Sequence, residues 1–154
     1  LLGARFTVIQ ATRATVGAET GRSKRYQLIR TDSTMTVNPY ASATAWWSDK
    51  TQYMVTTSPT ALGRGRIAGV FQNAITPGYY GCIQIEGPAT VKLTDGSAVT
   101  ANSGQFVIPS ATAGKATTEA VGTAASYPAL GVIAGTLNAV TMEVVVDLNV
   151  PETT

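Results

Sequence analysis

Residues Arg64 to Leu93, RGRIAGVFQNAITPGYYGCIQIEGPATVKL, alternate apolar with polar or small side chains between Gly and Pro punctuation. In the middle of the stretch Gly81, Ile83 and Ile85 fall on one face, and Cys82, Gln84 and Glu86 on the other. A period of two places neighbouring side chains on opposite sides of the backbone, as a strand does, and this pattern fits a half-buried strand of an antiparallel sheet. Thr76-Pro77-Gly78 and Glu86-Gly87-Pro88 are predicted turns, so the stretch is expected to run strand, turn, strand, turn, strand. Nothing in it carries chemistry. It reads as a small β core that holds a surface in place.

The same period recurs along the chain. Leu1 to Ile9 ends in a short strand (ARFTVI), and Gln10 to Ser23 is polar and without period, a loop or an extended arm. The expected division is therefore an N-terminal arm over residues 1–22 and a β domain over 23–154. Further strands are predicted at Lys24–Arg30, Thr34–Val37, Ala43–Asp49 and Tyr53–Thr57. Asp95-Gly96 between Val91–Thr94 and Ser97–Thr100 signals a hairpin, because a type I′ turn needs φ > 0 at both central residues. A strand at Gln105–Ile108 is stopped by Pro109. Ser110 to Ser126 is Ala/Thr/Gly-rich, expected as a long surface loop with at most one strand, Ala116–Val121. Leu130–Ala134 is a predicted buried strand, and Asn138–Leu148 points Met142, Val144, Val146 and Leu148 inward. Roughly ten short strands with turns between them point to an all-β barrel or sandwich.

Composition agrees. Hydrophobic residues make up 44% and charged residues 13%, too apolar for a disordered chain. Dense Gly and β-branched residues would interrupt a helix every few positions. Charge is lopsided: nine basic residues against three acids up to Arg66, about +6, and two against six thereafter, about −4. A basic end suits an acidic partner; scattered cations on solvated strand faces are the plain alternative. No apolar run reaches the length of a membrane-spanning helix. Neither a secretory signal nor an initiating Met opens the chain, which implies an upstream piece removed or unrecorded.

The residue inventory argues against an enzyme. Histidine is absent and Cys82 is the sole cysteine, which removes the commonest general base, most zinc and copper ligand sets, and any intrachain disulfide. Cys82 itself reads as a packing residue of the core strand. The nine acids show no calcium-loop spacing. Gly63-Arg64-Gly65-Arg66-Ile67-Ala68 matches a dinucleotide fingerprint by letter, but the buried strand before it and the helix after it are both missing. Arg22, Lys24, Arg25 and Arg30 surround Tyr26, a basic patch with an aromatic, yet no nucleic-acid motif accompanies them. No cofactor, specific nucleic acid or membrane is expected as a partner.

Trp46 and Trp47 are adjacent, so in a strand they point to opposite faces. One is expected in the core. The other is expected to be exposed or covered by another subunit, with core packing as the alternative. Trp46, Trp47, Tyr79 and Tyr80 are also the aromatics a carbohydrate-binding module would need, but each doublet should split across a strand, which argues against a sugar platform.

The order IAGVFQNAITPGYYGCIQIEGPATVKL, SGQFVIPSATAGKA, LGVIAG, MEVVVDL resembles the head decoration (cement) proteins of tailed bacteriophages over residues 64–148. Ile85 to Val91 fills the family's hairpin segment. Ser103 to Val107 fills the next, with Gln105 where an acid is common. The resemblance implies a small antiparallel β-barrel or β-tulip with an extended N-terminal arm, and a structural, non-enzymatic role on the capsid exterior of a virion. It implies a homotrimer at three-fold positions that binds the major capsid protein lattice and stabilises the shell. Candidate contact residues are Arg5, Phe6, Arg13, Arg22, Trp46, Trp47, Arg64 and Arg66. Alternatives are another virion subunit (tail tube, minor capsid or fibre base) and a carbohydrate-binding β module.

Overall fold

A computed structural model describes residues 1–9, 23–59, 67–94, 104–119 and 129–151. Among them are ten strands and no helix: β1 Arg5–Ile9, β2 Ser23–Thr31, β3 Thr44–Asp49, β4 Met54–Thr56, β5 Ile67–Phe71, β6 Tyr80–Lys92, β7 Phe106–Pro109, β8 Ala116–Thr118, β9 Gly131–Ile133 and β10 Glu143–Asn149. The protein is all-β, as its period-two pattern requires.

The sheet runs β1-β2-β4-β3-β5-β6-β10-β9-β7-β8, and a further β2–β6 pairing closes β2, β4, β3, β5 and β6 into a five-stranded barrel. Among the described strands only β2 and β4 are parallel neighbours, and the other pairs are antiparallel. The barrel interior is filled by Ile29, Ala43, Ala45, Trp47, Val55, Ala68, Phe71, Ile83 and Ile85. Each large aliphatic among them contributes about 1.5–3 kcal/mol by burial. A second cluster, including Ile67, Val70, Val91, Leu93, Val107, Leu130, Val144 and Val146, joins the barrel's outer wall to β10, β9 and β7.

β6 is where the two layers meet. Its first half pairs with β2, from Arg30↔Tyr80 to Arg25↔Glu86, and its second half pairs with β10, from Asn149↔Glu86 to Glu143↔Lys92. The predicted turn at Glu86-Gly87-Pro88 is therefore corrected: the chain runs through it as one 13-residue strand. Gly87 at φ +85 and a register shift opposite Arg25/Tyr26 bend the strand without reversing it. The Gln84 side-chain amide donates to the carbonyls of Glu86, Gly87 and Pro88 at 3.1, 3.2 and 2.9 Å, so the bent backbone keeps its acceptors satisfied.

Three more expectations change. Thr34–Val37 is no strand, because the Asp32 carboxylate accepts from the Thr34 N–H at 2.8 Å and its hydroxyl at 2.7 Å, holding a local turn. Ser110–Lys115 is not a loose surface loop: Ser110, Gly114 and Ala116 are buried, and the Tyr40 hydroxyl donates to the Gly114 carbonyl at 3.1 Å. Met142, expected inward on β10, precedes that strand at φ 53 and is half-buried. The hairpin expected at Asp95-Gly96 lies outside the described residues.

Candidate functional site

β1 lies along the edge of the sheet, paired antiparallel with β2 from Arg5↔Gln27 to Ile9↔Ser23. Of the expected arm, residues 5–9 are thus a docked strand preceded by a turn at residues 1–4, while 10–22 fall outside the described residues. The strand's short apolar run and the hydrogen bonds of Gly3 N–H to the Leu28 carbonyl and Leu28 N–H to the Ala4 carbonyl, both 2.9 Å, hold it in place. Alternation then sorts its side chains. Phe6 and Val8 share the outer face with their partners Tyr26 and Lys24, and the Phe6 ring stacks on Tyr26 at 5.5 Å. Both Phe6 and Val8 remain 45% exposed, an apolar stripe beside a cation.

Arg5 pairs with Gln27, and Arg5, Arg25 and Gln27 line the opposite side, at one mouth of the barrel. Arg25 holds the Glu86 carboxylate at 3.1 Å, both side chains being nearly half exposed, so this ion pair adds little stability. The mouth contains a cavity of about 290 Å³ walled also by Trp47, Tyr53 and Ile85. Gln27 is 3% exposed, and no hydrogen bond of its side-chain amide is found among the described residues.

The two tryptophans correct the expectation that one would need a partner. Trp46 is fully buried and Trp47 is 5% exposed. Trp47 fills the barrel with its ring edge-on to Tyr53 at 6.2 Å. On the other face of β3 the strand is covered too: the Thr44 N–H donates to the Gly114 carbonyl at 3.0 Å, and the Thr44 hydroxyl to the Lys115 carbonyl at 3.2 Å. A strand between two layers is buried on both sides, and neither ring reaches the surface as a contact residue.

Of the other candidates, Arg5 and Phe6 sit on β1, while Arg13, Arg22, Arg64 and Arg66 lie outside the described residues. The fingerprint at Gly63–Ala68 leads into strand β5 and not a helix, so no helix N-terminus awaits a pyrophosphate. The basic patch around Tyr26 is dispersed. Arg25 faces the mouth, Lys24 faces outward, and Arg30 lies at the far end of β2 over the Tyr80 ring at 6.0 Å.

Sequence reasoning missed the Tyr79-Tyr80 surface. Both rings are exposed, at 66% and 63%, because Tyr79 is still in the turn and only Tyr80 begins β6. Thr31 pins that turn: its hydroxyl meets the carbonyls of Thr76 and Tyr79 at 3.0 and 2.9 Å, and its N–H donates to Tyr79 at 2.9 Å. Thr-Pro-Gly followed by two aromatics was the available signal. Cys82 is half-buried, and burial pushes its thiol above the ordinary value. Among the described residues no group of three His, Cys, Asp or Glu could hold a metal ion.

Compared with protein-family models, curated proteins and solved structures, the chain has no match.

Proposed function

We propose that this chain is a structural virion component that binds the outside of an assembled phage capsid, as a trimer at three-fold positions, and stabilises the shell. The observation that carries this reading is the edge strand β1, with exposed Phe6 and Val8 beside Lys24, fixed on a closed barrel. A strand edge that no described strand pairs, with an apolar stripe beside a lysine, is a docking edge for another protein's sheet or loop. The order of segments over residues 64–148 resembles head decoration proteins, which gives the edge a partner of the right kind. Binding the lattice and not its separate subunits would stabilise a shell by mass action, and many copies of a weak contact act together.

Co-sedimentation with purified, undecorated phage heads tests it. The chain is expected to pellet with expanded heads, to stay in the supernatant with free capsid subunits, and to raise the temperature at which heads break. Phe6→Asp should weaken pelleting at least tenfold, about 1.4 kcal/mol, while leaving the melting temperature of the isolated chain within a few degrees. Pelleting with neither form, or pelleting indifferent to Phe6→Asp, overturns the reading.

One observation favours a second reading, a carbohydrate-binding β module: the exposed, pinned Tyr79-Tyr80 pair with Arg30 beside it. Glycan-array binding abolished by Tyr80→Ala would support that reading over the capsid one.

A further inference from the structure

The barrel interior changes character toward the mouth where β1 docks. Inward positions of β2 run Ile29, Gln27, Arg25 toward that end, from an aliphatic to an amide to a guanidinium. On the facing β5 stave Ala68 is small, so that wall leaves space open at the rim. What remains is the cavity of about 290 Å³, close to the lower end of the sizes that hold small molecules, in a place where β-barrels commonly bind them.

Its walls are unequal. Trp47, Tyr53 and Ile85 present aromatic and aliphatic surface. Gln27, Arg25 and Arg5 come from the adjoining β1–β2 wall, and Lys50 adds a third cation against a single acid, Glu86. Gln27, 97% removed from solvent and without a side-chain hydrogen bond among the described residues, offers an amide N–H into this space. A stacking surface beside a convergent donor and a net positive rim is the complement of an amphipathic anion.

We propose that the barrel mouth binds a small organic anion, a carboxylate with an aromatic or branched apolar body. The body lies against Trp47 and Tyr53, and the carboxylate accepts from the Gln27 amide within the field of Arg5, Arg25 and Lys50. This site is independent of the capsid-binding edge, which lies on the other face of β1.

Titration of the full chain with phenylacetate, phenylacetamide and phenethylamine tests the assignment, read by the Gln27 side-chain and Trp47 indole ¹H–¹⁵N signals. Phenylacetate should bind saturably and move both signals, phenethylamine should bind at least tenfold more weakly, and raising the salt should weaken phenylacetate severalfold. Gln27→Leu should lower phenylacetate affinity at least fivefold with the β circular dichroism unchanged. Should that variant not fold, Lys50→Gln, on an exposed turn, should lower it severalfold. Equal binding of the three probes overturns the proposal. So does the absence of saturation by about 10 mM phenylacetate, or affinity unchanged in the folded variant.

Discussion

The Gln84 side-chain amide donates to the Pro88 carbonyl at 2.9 Å, four residues further along the same strand. With its bonds to Glu86 and Gly87 it gathers three consecutive carbonyls onto one buried nitrogen. That cluster lets a strand bend at Gly-Pro and pass from the barrel to the second layer. Without it, buried carbonyls at the bend would lose their partner.

Gln84→Leu should therefore destabilise the fold by about 1–2 kcal/mol: the side-chain volume is kept and backbone acceptors lose their donor, offset in part by removing the buried, unpartnered Gln84 Oε1. Urea unfolding measures this. A change below about 0.5 kcal/mol would show that the bend holds itself.

Gly87 and Gly104 separate backbone strain from crowding. Both have left-handed φ, +85 and +88, but a Cβ on Gly87 would stand 2.4 Å from the Ser23 carbonyl oxygen while one on Gly104 meets nothing within 4 Å. Gly104→Ala should cost about 1 kcal/mol, the conformational term alone, and Gly87→Ala about 2–4 kcal/mol. Equal losses in paired denaturation curves would mean that β2 gives way to the new methyl.

Both tryptophans should emit as buried indoles. Acrylamide should quench the folded chain weakly with a single low constant, and Trp46→Phe and Trp47→Phe should each leave a residual signal that is equally protected. Half of the emission being readily quenched would place one ring at the surface, against its position here.

Asp32 makes stability fall in acid. The Thr34 N–H bond, with burial opposing it and the Thr34 hydroxyl assisting, holds the carboxyl below its ordinary value of 3.8. The folded chain thus holds this proton less tightly than the unfolded one. Its contribution is full above the ordinary value and fades as pH falls through it toward the lowered one. Asp32→Asn, which keeps an acceptor and cannot titrate there, should flatten this part of the urea-midpoint profile between about pH 5 and 2. An unchanged profile would assign the acid sensitivity elsewhere.

Much of the strand inventory was readable from alternation. β1, β2, β7 and β10 fall where apolar residues recur every second position, and β3 and β5 fall on short apolar runs bounded by turn residues, with boundaries within a few residues. The failures have physical causes. Gly87-Pro88 carries a turn composition, but cross-strand bonds to β10 and the Gln84 amide overrode it. Thr34–Val37 looks β-branched, but Asp32 captured the backbone N–H first. For the candidate contact residues, Arg5 and Phe6 could be placed on a strand by pattern, whereas the burial of both Trp46 and Trp47 depended on a second layer that period two alone does not reveal.

The chain's own order of residues settled that this protein is all-β, where most strands begin, and that no histidine or cysteine pair supplies site chemistry, because side-chain period and residue type are local properties. Closure of β2 onto β6, the bend that joins the two layers, and the polar mouth beside Gln27 were decided only in three dimensions. Each depends on which distant strand supplies the next row of hydrogen bonds. That choice is made by fit between whole faces, Arg25 to Glu86 and Val144 to Val91, and no neighbouring residue encodes it.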